Sequence, residues 1–434
     1  MSTLLRLATA GSVDDGKSTL VGRLLYDSKS VLADQLESVE RVSRDRGLEH
    51  ADLALLTDGL RAEREQGITI DVAYRYFATA RRSFILADCP GHVQYTRNTV
   101  TGASTAHVVV LLLDARKGLL EQTRRHLAVA SLLRVPHVIV AVNKIDLVDY
   151  SEQRYNELDQ EIRQVAAELG VEGISTLPVS ALVGDNIVDR SSATPWYGGP
   201  SLLELLEEIP GDIEPASGSF RFPVQTVIRP QGAAAPQFRD YRGYAGQVAQ
   251  GVLRVGDPVT VLPSGRTTTI AGIDTFDGPL DEAFAPQSVT VRLTDDIDIT
   301  RGDLLTSRAD APTVTQVISG TLAWLAERTL LPGTRVLVKH TTRVVQGIVQ
   351  DVNSRLNLDT ATHEPAQSLE LNDIGHVTIR VASPLAAEDY LDSRHLGSFL
   401  VIDPASGYTL AAGMVGDALE AKIDPASRPA QFSI

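Results

Sequence analysis

The amino-acid sequence predicts an α/β domain, with a mainly parallel sheet and helices on both faces, followed by two antiparallel β-barrel domains. As far as about Pro210, apolar runs alternate with longer segments of helical periodicity, which is typical of βαβ units. Beyond Phe220, short β-rich stretches recur without helices between them and are separated by turn residues, which indicates antiparallel barrels. The segment GDIEPASGS from Gly211 is small, polar and turn-prone, as expected of a linker.

The first domain, residues 1–216, is predicted from short apolar runs at the positions of parallel strands. Runs of this length without polar alternation are typical of strands that helices cover on both faces. The predicted strands are Leu4–Ala10, Ser83–Ala87, Val108–Leu113 and His137–Val142.

The two barrels are predicted in series, over residues 217–311 and 312–434. The first set of strand-like stretches comprises FPVQTVI, VTVLP, TTTIAGI and SVTVRL, with the turns RVGDP and PSGR. The second set follows SRADAPT and includes TRVLVKH, VTIRVA and GSFLVID. Because the strands are closely spaced along the chain, we expect neighbours to pair in the antiparallel sense.

The composition excludes several classes of protein. The 434 residues are 43% hydrophobic and 22% charged, which excludes disordered and fibrous chains. The formal net charge of −15 disfavours nucleic acid and anionic membranes as partners, although a local basic patch is compatible with it. Cys89 is the single cysteine, which excludes an internal disulfide and a multi-cysteine metal site.

We expect a cytoplasmic protein. The longest apolar runs, such as VVVLLL from Val108, fall far short of the roughly 18 residues of a membrane helix. The N-terminal MSTLLRLATA leads directly into a glycine motif at Gly11, which leaves no room for a signal peptide. A single cysteine is in keeping with the reducing cytosol.

A glycine-rich segment near the N-terminus predicts a phosphate-binding loop. Gly11–Ser18 read GSVDDGKS, which fits the pattern G-x-x-x-x-G-K-[ST] between a predicted strand and a helix-compatible run. Such a loop surrounds phosphates with backbone N–H groups at a helix N-terminus. We expect Lys17 to bridge β- and γ-phosphate oxygens and the Ser18 hydroxyl to ligate Mg²⁺. The predicted binding residues are Gly11, Ser12, Val13, Asp14, Asp15, Gly16, Lys17, Ser18 and Thr19.

Two further segments predict the parts of the site that respond to the γ-phosphate. DCPGH follows the strand that ends in FILA; here we expect Asp88 to hold Mg²⁺ through water and the Gly91 N–H to contact the γ-phosphate. Thr69, in REQGITI, is the expected second Mg²⁺ ligand, on a mobile switch segment. The residues of DCPGH are Asp88, Cys89, Pro90, Gly91 and His92.

Two segments predict a guanine-specific base pocket. NKID closes the strand VIVAV, and the Asp146 carboxylate can accept hydrogen bonds from the guanine N1–H and exocyclic amine, which adenine does not offer. SAL closes LPV, and we expect it to present a backbone N–H to the guanine oxygen. NKID alone is also compatible with an ordinary strand-end turn, but the five segments in this order predict GTP as the nucleotide. The residues are Asn143, Lys144, Ile145, Asp146, Ser180, Ala181 and Leu182.

The five segments resemble those of the translation-factor class of GTPases, whose members carry D-x-P-G-H. Longer strings resemble one family in that class, the GTPase subunit (subunit 1) of bacterial sulfate adenylyltransferase, over essentially the whole chain. These strings are GSVDDGKSTLVGRLLYDS, LALLTDGLRAEREQGITIDVAYRYF, GHVQYTRNTVTGAST, LLDARKGLLEQTRRH, AVNKIDLVDYS, VSALVGDNI, WYGGPSLLELLE, FRDYRGYAGQV and GSFLVID. Cys89 stands where threonine is commoner, and Val93 stands where an acidic residue is usual, which leaves the details of switch II open.

The resemblance implies a subunit that couples GTP hydrolysis to the formation of adenosine 5′-phosphosulfate from ATP and sulfate. The adenylyl transfer would belong to a partner, the catalytic subunit 2 of sulfate adenylyltransferase, in a heterodimer or an assembly of heterodimers. No nucleic-acid or membrane partner is implied. The fused adenylylsulfate kinase module of some relatives is expected to be absent, since no second phosphate loop follows GMVGDALEAKI.

The resemblance also implies roles for individual residues. The implied catalytic residues are His92, Lys17, Thr69 and Asp14. The implied Mg²⁺ ligands are Ser18, Thr69 and Asp88. His92 would orient the attacking water, and Asp14 would help to hold a monovalent cation or the switch segment.

Two other functions stay open on the residues alone. An elongation-factor-like GTPase that delivers aminoacyl-tRNA has the same architecture, but it would need a basic RNA-reading surface, which is not evident in this acidic chain. A regulatory GTPase without coupled chemistry fits the motifs but not the long family-specific strings. The macromolecule that co-purifies with the chain, a protein subunit or tRNA, distinguishes these functions.

Asp146→Asn is expected to change the choice of base from guanine to xanthine. The amide can donate to the extra carbonyl of xanthine, whereas it no longer accepts both hydrogen bonds from guanine. We expect GTP affinity to fall by about ten-fold or more and xanthosine triphosphate affinity to rise, as measured by nucleotide titration. Equal GTP affinities in the two proteins would contradict the role of Asp146.

Overall fold

The structure, a computed structural model, describes residues 3–29, 31, 33–45, 53–56, 72–92, 96–171, 173–211, 218–230, 240–358, 360 and 362–417. The chain divides into two compact units, one formed mainly by Met1–Ile213 and the other by Glu214–Leu356 with His363–Ala418. The first is an α/β unit, and the second is built of antiparallel strands, which confirms the predicted fold class. The domain boundaries at 216/217 and 311/312 stay predictions.

Strands and helices alternate along the α/β unit. The strands are β1 (Thr3–Gly11), β2 (Ala73–Ala78), β3 (Arg82–Asp88), β4 (Val108–Asp114), β5 (His137–Asn143) and β6 (Ile174–Pro178). The helices are α1 (Lys17–Asp27), α2 (Ala33–Asp45), α3 (Thr96–Ser104), α4 (Glu121–Leu132), α5 (Glu152–Glu168) and α6 (Leu202–Glu208), with 3₁₀ turns at Leu53–Leu56 and Ile145–Val148. In the described part of the chain, no helix is both long and apolar enough to cross a membrane.

The strands of the α/β unit form one sheet in the order β2-β3-β1-β4-β5-β6. β3, β1, β4, β5 and β6 are parallel to one another, whereas β2 pairs with β3 in the antiparallel sense at the edge. β4 is buried along its whole length, which is why its sequence is apolar throughout instead of alternating. The carboxyl ends of the parallel strands meet at one edge of the sheet, where the loops of open α/β sheets bind ligands.

Helix α1 packs one face into the core and carries a close contact on another. Leu20, Val21 and Leu24 are buried, with the spacing of an apolar helix face. The Leu53–Leu56 turn packs on the same helix at Gly22. A Cβ at Gly22 would lie 2.1 Å from the carbonyl oxygen of Leu53, so glycine is what allows the turn to approach the helix.

The second unit contains two closed antiparallel barrels. The strands of the first are β7 (Arg221–Ile228), β8 (Gly243–Gln247), β10 (Pro258–Leu262), β11 (Arg266–Thr275), β12 (Gly278–Leu280), β14 (Ser288–Leu293) and β15 (Leu304–Ser307). In the same region, β9 (Val252–Arg254) and β13 (Glu282–Phe284) form a separate two-stranded sheet. The second has β16 (Thr313–Trp324), β17 (Arg335–His340), β18 (Arg343–Asn357), β19 (Thr362–Pro365), β20 (Ile374–Ala387), helix α7 (Arg394–Gly397), β21 (Ser398–Ile402) and β22 (Thr409–Val415). The pairings β10–β11 and β17–β18 close the two barrels.

A buried arginine joins the two barrels. Arg221, on β7, is 3% exposed, and its guanidinium donates to Glu388 at 2.6 Å and to Asp310 at 3.2 Å. Thr306 accepts a further hydrogen bond at 2.9 Å. A buried charge requires partners of this kind. The arginine therefore connects β7 of the first barrel to the segment that follows β20 of the second.

Gly22→Ala is expected to destabilise the α/β unit. At an exposed helix position this change would stabilise by about 1 kcal/mol, but here the new Cβ would overlap the Leu53 carbonyl. We expect the free energy of unfolding to fall by about 1–3 kcal/mol, as measured by chemical denaturation. In the control variant Gly198→Ala the Cβ would meet nothing within 4 Å, so stability should not change. An unchanged stability of Gly22→Ala would show that the turn moves aside freely.

Candidate nucleotide-binding site

The segment between β1 and α1 forms a tight loop at the carboxyl edge of the sheet. β1 ends at Gly11 and α1 begins at Lys17. The backbone has a positive φ at Asp14 (65°) and at Gly16 (94°), values that favour a glycine or a short polar residue. A Cβ at Gly16 would lie 2.4 Å from Nδ2 of Asn143, so the loop packs directly against the end of β5.

Lys17 is the buried cation of this loop. Its Nζ donates to the carbonyl oxygens of Gly11 at 2.8 Å and Ser12 at 2.7 Å. Burial lowers the pKa of Lys17, and the negative charges of Asp15 and Asp88 oppose that shift. The ammonium group therefore lies inside the loop, where it adds a positive charge to backbone dipoles that already favour anions.

The side chain of Asp15 forms a hydrogen bond within the phosphate loop. One of its carboxylate oxygens accepts a hydrogen bond from the Ser12 N–H at 2.7 Å. Burial raises the pKa of Asp15, whereas that hydrogen bond and the charge of Lys17 lower it. The Ser12 hydroxyl and the other carboxylate oxygen of Asp15 are buried and have no hydrogen-bond partner among the described residues. Buried polar atoms of this kind are ones that a water or a ligand satisfies.

The other residues of the predicted loop lie at its mouth and at the start of α1. Val13 and Asp14 are exposed. Ser18 and Thr19 are half-buried in the first turn of α1. All nine predicted residues therefore lie at the junction of β1 and α1.

The DCPGH segment continues β3 and meets the phosphate loop at a glycine. β3 ends at Asp88, whose carboxylate accepts a hydrogen bond from the Thr9 hydroxyl at 2.8 Å. A Cβ at Gly91 would lie 2.1 Å from Nζ of Lys17. A side chain at position 91 would therefore displace the lysine, so the contact between the two loops requires glycine.

Cys89 and Pro90 belong to the packing of this segment. Both are buried, and a Cβ at Gly102 of α3 would come within 2.3 Å of the Cys89 Sγ. Burial raises the pKa of the Cys89 thiol, which keeps the thiol protonated and unreactive. The residue that replaces the commoner threonine is therefore a core residue.

The predicted switch residues are described only in part. His92 follows Gly91 and is half-buried. Thr69 and Val93 lie outside the described residues. The role of Thr69 as a metal ligand therefore stays a prediction.

Asn143 joins the phosphate loop to the segment Ser180–Leu182, which we name the base loop. Its Nδ2 donates to the Asp15 carbonyl at 2.7 Å, and its Oδ1 accepts from the Ala181 N–H at 2.9 Å. The N–H of buried Ile145 donates to the Val179 carbonyl at 3.2 Å. NKID and the base loop therefore lie side by side, beyond the ends of β5 and β6.

The remaining residues of these two segments differ in exposure. Ser180 is buried, Lys144 and Asp146 are half-buried, and Leu182 is exposed. Asp146 lies in the 3₁₀ turn that follows β5. The structure thus brings all the predicted site residues that it describes to one edge of the sheet.

A charged cluster that the sequence analysis did not single out lies beside these loops. Asp114 ends β4, and its carboxylate lies 2.7 Å from Arg116 and 3.0 Å from Lys144. Lys144 also donates to the carbonyl of Asp14. Burial raises the pKa of Asp114, but the hydrogen bonds from Arg116 and Lys144 outweigh burial, and the pKa lies below its usual range. The position of Asp114 in the sequence could have identified it, because it ends β4, which lies between β1 and β5 in the sheet.

Comparisons with known proteins agree with this geometry. The family model of the elongation factor Tu GTP binding domain matches residues 2–213, and that of the GTP-eEF1A C-terminal domain-like family matches residues 318–416. The bifunctional enzyme CysN/CysC of Mycobacterium tuberculosis is 54% identical over 419 residues, which are 96% of this chain and 67% of that protein. The sulfate adenylyltransferase subunit 1 of Bacteroides fragilis is 48% identical over 421 residues, which are 96% of this chain and 87% of that protein. The chain belongs to the sulfate adenylyltransferase subunit 1 family.

Membership of the sulfate adenylyltransferase subunit 1 family confirms the resemblance found in the motifs. The α/β unit is a GTPase domain of the elongation factor Tu type, and the chain is a GTPase. A solved structure of Sup35 complexed with GMPPNP is 25% identical, covers 96% of this chain and 94% of that chain, and has a TM-score of 0.43.

Asp114→Asn is expected to alter the response of the α/β unit to acid. Its pKa lies below that of an unfolded aspartate, so ionised Asp114 stabilises the fold above about pH 4 and loses this effect as the pH falls through the folded-state value. We expect the variant to lose about 1–3 kcal/mol of unfolding free energy near neutral pH. Denaturation at a series of pH values measures the difference, which should shrink with acidification.

The control for this prediction is Asp149→Asn, which changes an exposed aspartate in the same region. It should match the wild type at every pH. A stability difference for Asp114→Asn that stays constant from neutral to acid pH would mean that the carboxylate charge does not stabilise this cluster.

Proposed function

We propose that this chain is the GTP-hydrolysing subunit of a sulfate adenylyltransferase. In this proposal, GTP hydrolysis is coupled to the formation of adenosine 5′-phosphosulfate from ATP and sulfate by a partner, the catalytic subunit 2. The observation that carries the proposal is the contact of Lys17 with Gly91, because it joins a phosphate loop to a segment that can respond to the γ-phosphate. The names of the relatives support the assignment to sulfate activation.

The phosphate loop supplies the charge that a nucleoside triphosphate needs. The Lys17 ammonium, which donates to loop carbonyls, would turn to the β- and γ-phosphate oxygens. The Gly91 N–H would contact the γ-phosphate from the opposite side. Hydrolysis at such a site depends on positioning and on electrostatic stabilisation more than on covalent chemistry.

The oxygen donors at the loop junction fit a magnesium ion. Mg²⁺ prefers oxygen ligands and is usually bound by one or two protein groups together with waters and phosphates. Ser18 has a hydroxyl in the first turn of α1, and Asp88 has a buried carboxylate that Thr9 orients. We assign these two residues, with Thr69, as the groups that hold the ion. When bound, Mg²⁺ would neutralise charge on the β- and γ-phosphate oxygens.

The base pocket is assigned to NKID and the base loop. Asp146 would accept hydrogen bonds from the guanine N1–H and amine, and the base loop would donate a backbone N–H to the guanine oxygen. Asn143 supports this assignment because it connects the base loop to the phosphate loop. Both ends of the nucleotide would therefore be read by one connected set of loops.

We assign to His92 the role of orienting the attacking water. His92 directly follows Gly91, so its imidazole belongs to the segment that would contact the γ-phosphate. Asp14 is exposed at the mouth of the phosphate loop, and its proposed role toward a monovalent cation or the switch segment depends on the same nucleotide. These roles place the chemistry of hydrolysis on the α/β unit alone.

Coupling to the partner requires more than binding. A nucleotide shifts an equilibrium in a partner only if its bound states interact differently with that partner. The mixed phosphoric–sulfuric anhydride is a high-energy product, so GTP hydrolysis must complete each cycle to sustain an uphill product ratio. The predicted partner is therefore a subunit that distinguishes the GTP-bound from the GDP-bound chain.

His92→Ala tests the coupling in the reconstituted complex. GTP affinity should stay within a few-fold, because the imidazole acts on water, whereas hydrolysis should slow by about 10²-fold or more. Wild type with GTP should raise adenosine 5′-phosphosulfate above the level that ATP and sulfate reach alone. The variant should not sustain this excess, and neither should wild type with a non-hydrolysable GTP analogue.

The matched control is His137→Gln, which changes a half-buried histidine at the start of β5. It should behave as wild type in both assays. If the excess product persists without hydrolysis, the chain is an activator and the energy-coupling role is wrong.

A further inference from the structure

Arg23 reaches from helix α1 to the base loop. Its Nη2 donates to the Leu182 carbonyl at 2.5 Å and its Nε donates to the Ala181 carbonyl at 3.4 Å. The side chain is 19% exposed, and Asp27, one turn further along α1, lies 3.6 Å from Nη1. One guanidinium thus holds two successive carbonyls of the base loop.

These two carbonyls determine the direction of the loop's backbone donors. A trans peptide is planar, so the direction of each C=O sets that of the N–H that follows it. Arg23 therefore orients the N–H groups of Leu182 and Val183. From the other side, Asn143 accepts the hydrogen bond of the Ala181 N–H at 2.9 Å. The base loop is held between these two side chains.

Other contacts of this segment mainly define the shape of its turn. The Gly184 N–H donates to the Ser180 carbonyl at 2.8 Å, and the Val183 N–H donates to the Ser180 hydroxyl at 3.3 Å. Leu182 and Val183 are each 57% exposed, so their side chains add little packing. Ala181 is buried in the same apolar cluster as α1. Among the described residues, Arg23 adds the side-chain hydrogen bonds that join α1 to this turn.

We propose that Arg23 is a positioning residue for recognition of the guanine oxygen at C6. By holding the Ala181 carbonyl, Arg23 orients the Leu182 N–H toward that oxygen; the neighbouring N–H groups of Ala181 and Val183 already donate to Asn143 and Ser180. This inference rests on the proposed GTP site. Because α1 begins at Lys17, the same helix sets the position of the phosphate loop and of the base loop. Lysine would not replace Arg23 fully, since a single ammonium lacks the planar fork that reaches two carbonyls.

The test compares three nucleotides on the full chain. GTP has the C6 oxygen, the N1–H and the amino group. Inosine triphosphate lacks only the amino group, whereas 2-aminopurine riboside triphosphate lacks the oxygen and the N1–H; the N1–H contribution, assigned to Asp146, is the same in wild type and in the Arg23 variants. Competition against a fluorescent GDP derivative gives their dissociation constants for wild type, Arg23→Ala and Arg23→Lys.

Arg23→Ala should bind GTP about ten-fold more weakly than wild type. The preference for GTP over the 2-aminopurine nucleotide should fall by about the same factor, because the base loop no longer donates a well-oriented hydrogen bond to the C6 oxygen. The preference for GTP over inosine triphosphate, assigned to Asp146, should not change. Arg23→Lys should show a smaller change in the same direction.

Arg125→Ala is the matched control. Arg125 is 15% exposed and pairs with Glu121 one turn away on α4, as Arg23 pairs with Asp27 on α1. It should reproduce the wild-type constants.

Two outcomes would contradict the inference about Arg23, and a third would contradict the proposed function. If both preferences of Arg23→Ala equal those of wild type, or if both fall together, Arg23 does not act on the C6 oxygen and the inference is wrong. If wild type itself does not bind GTP, the proposed function fails instead. Circular dichroism checks the fold, and if Arg23→Ala does not fold, the same two preferences in Arg23→Lys decide.

Discussion

The burial of the Lys17 ammonium group is the constraint on which the site depends. A cation that is removed from water needs hydrogen-bond acceptors and opposite charge close to it. The loop curls so that two of its carbonyls reach Nζ, and the carboxylates of Asp15 and Asp88 lie near enough to oppose the fall in its pKa. Gly91 can approach only because it lacks a side chain. A triphosphate would replace weak carbonyl acceptors with full negative charges, which is why this arrangement favours an anion.

Local sequence pattern was sufficient to predict the strands that carry the site. β1, β3, β4 and β5 begin and end within one residue of the predicted apolar runs, because a strand covered on both faces has few polar positions. The chemistry-bearing loops could then be placed from connectivity alone, since the carboxyl ends of parallel strands share one edge. Thr69 is the exception, because it lies outside the described residues. The roles of the described residues also stay proposals, since geometry shows where they lie and not what they bind.

Contacts between distant parts of the chain could not be predicted in this way. Arg23 and Ala181 are separated by 158 positions, and nothing in the run TLVGRLLYD distinguishes an arginine that holds a loop from one that faces solvent. The role of Asp114 could not be predicted either, because its segment, LLDARKGLLEQTRRH, resembled the family without indicating which residues form ion pairs. Gly22 lies in the middle of a helix, where glycine normally weakens the structure. Only the structure explains why glycine is needed there, because the Leu53 carbonyl occupies the space of a Cβ. Each of these depends on tertiary packing, which a pattern in one segment does not encode.

The buried arginine between the barrels has a consequence for how the second unit unfolds. Arg221 is 3% exposed, and its guanidinium donates to Glu388 at 2.6 Å. If one barrel unfolded while the other stayed folded, this ion pair would be broken. Breaking a buried ion pair in this way is strongly unfavourable, so partial unfolding of one barrel raises the free energy of the other. The ion pair therefore couples the stabilities of the two barrels, and this coupling favours their unfolding in one transition.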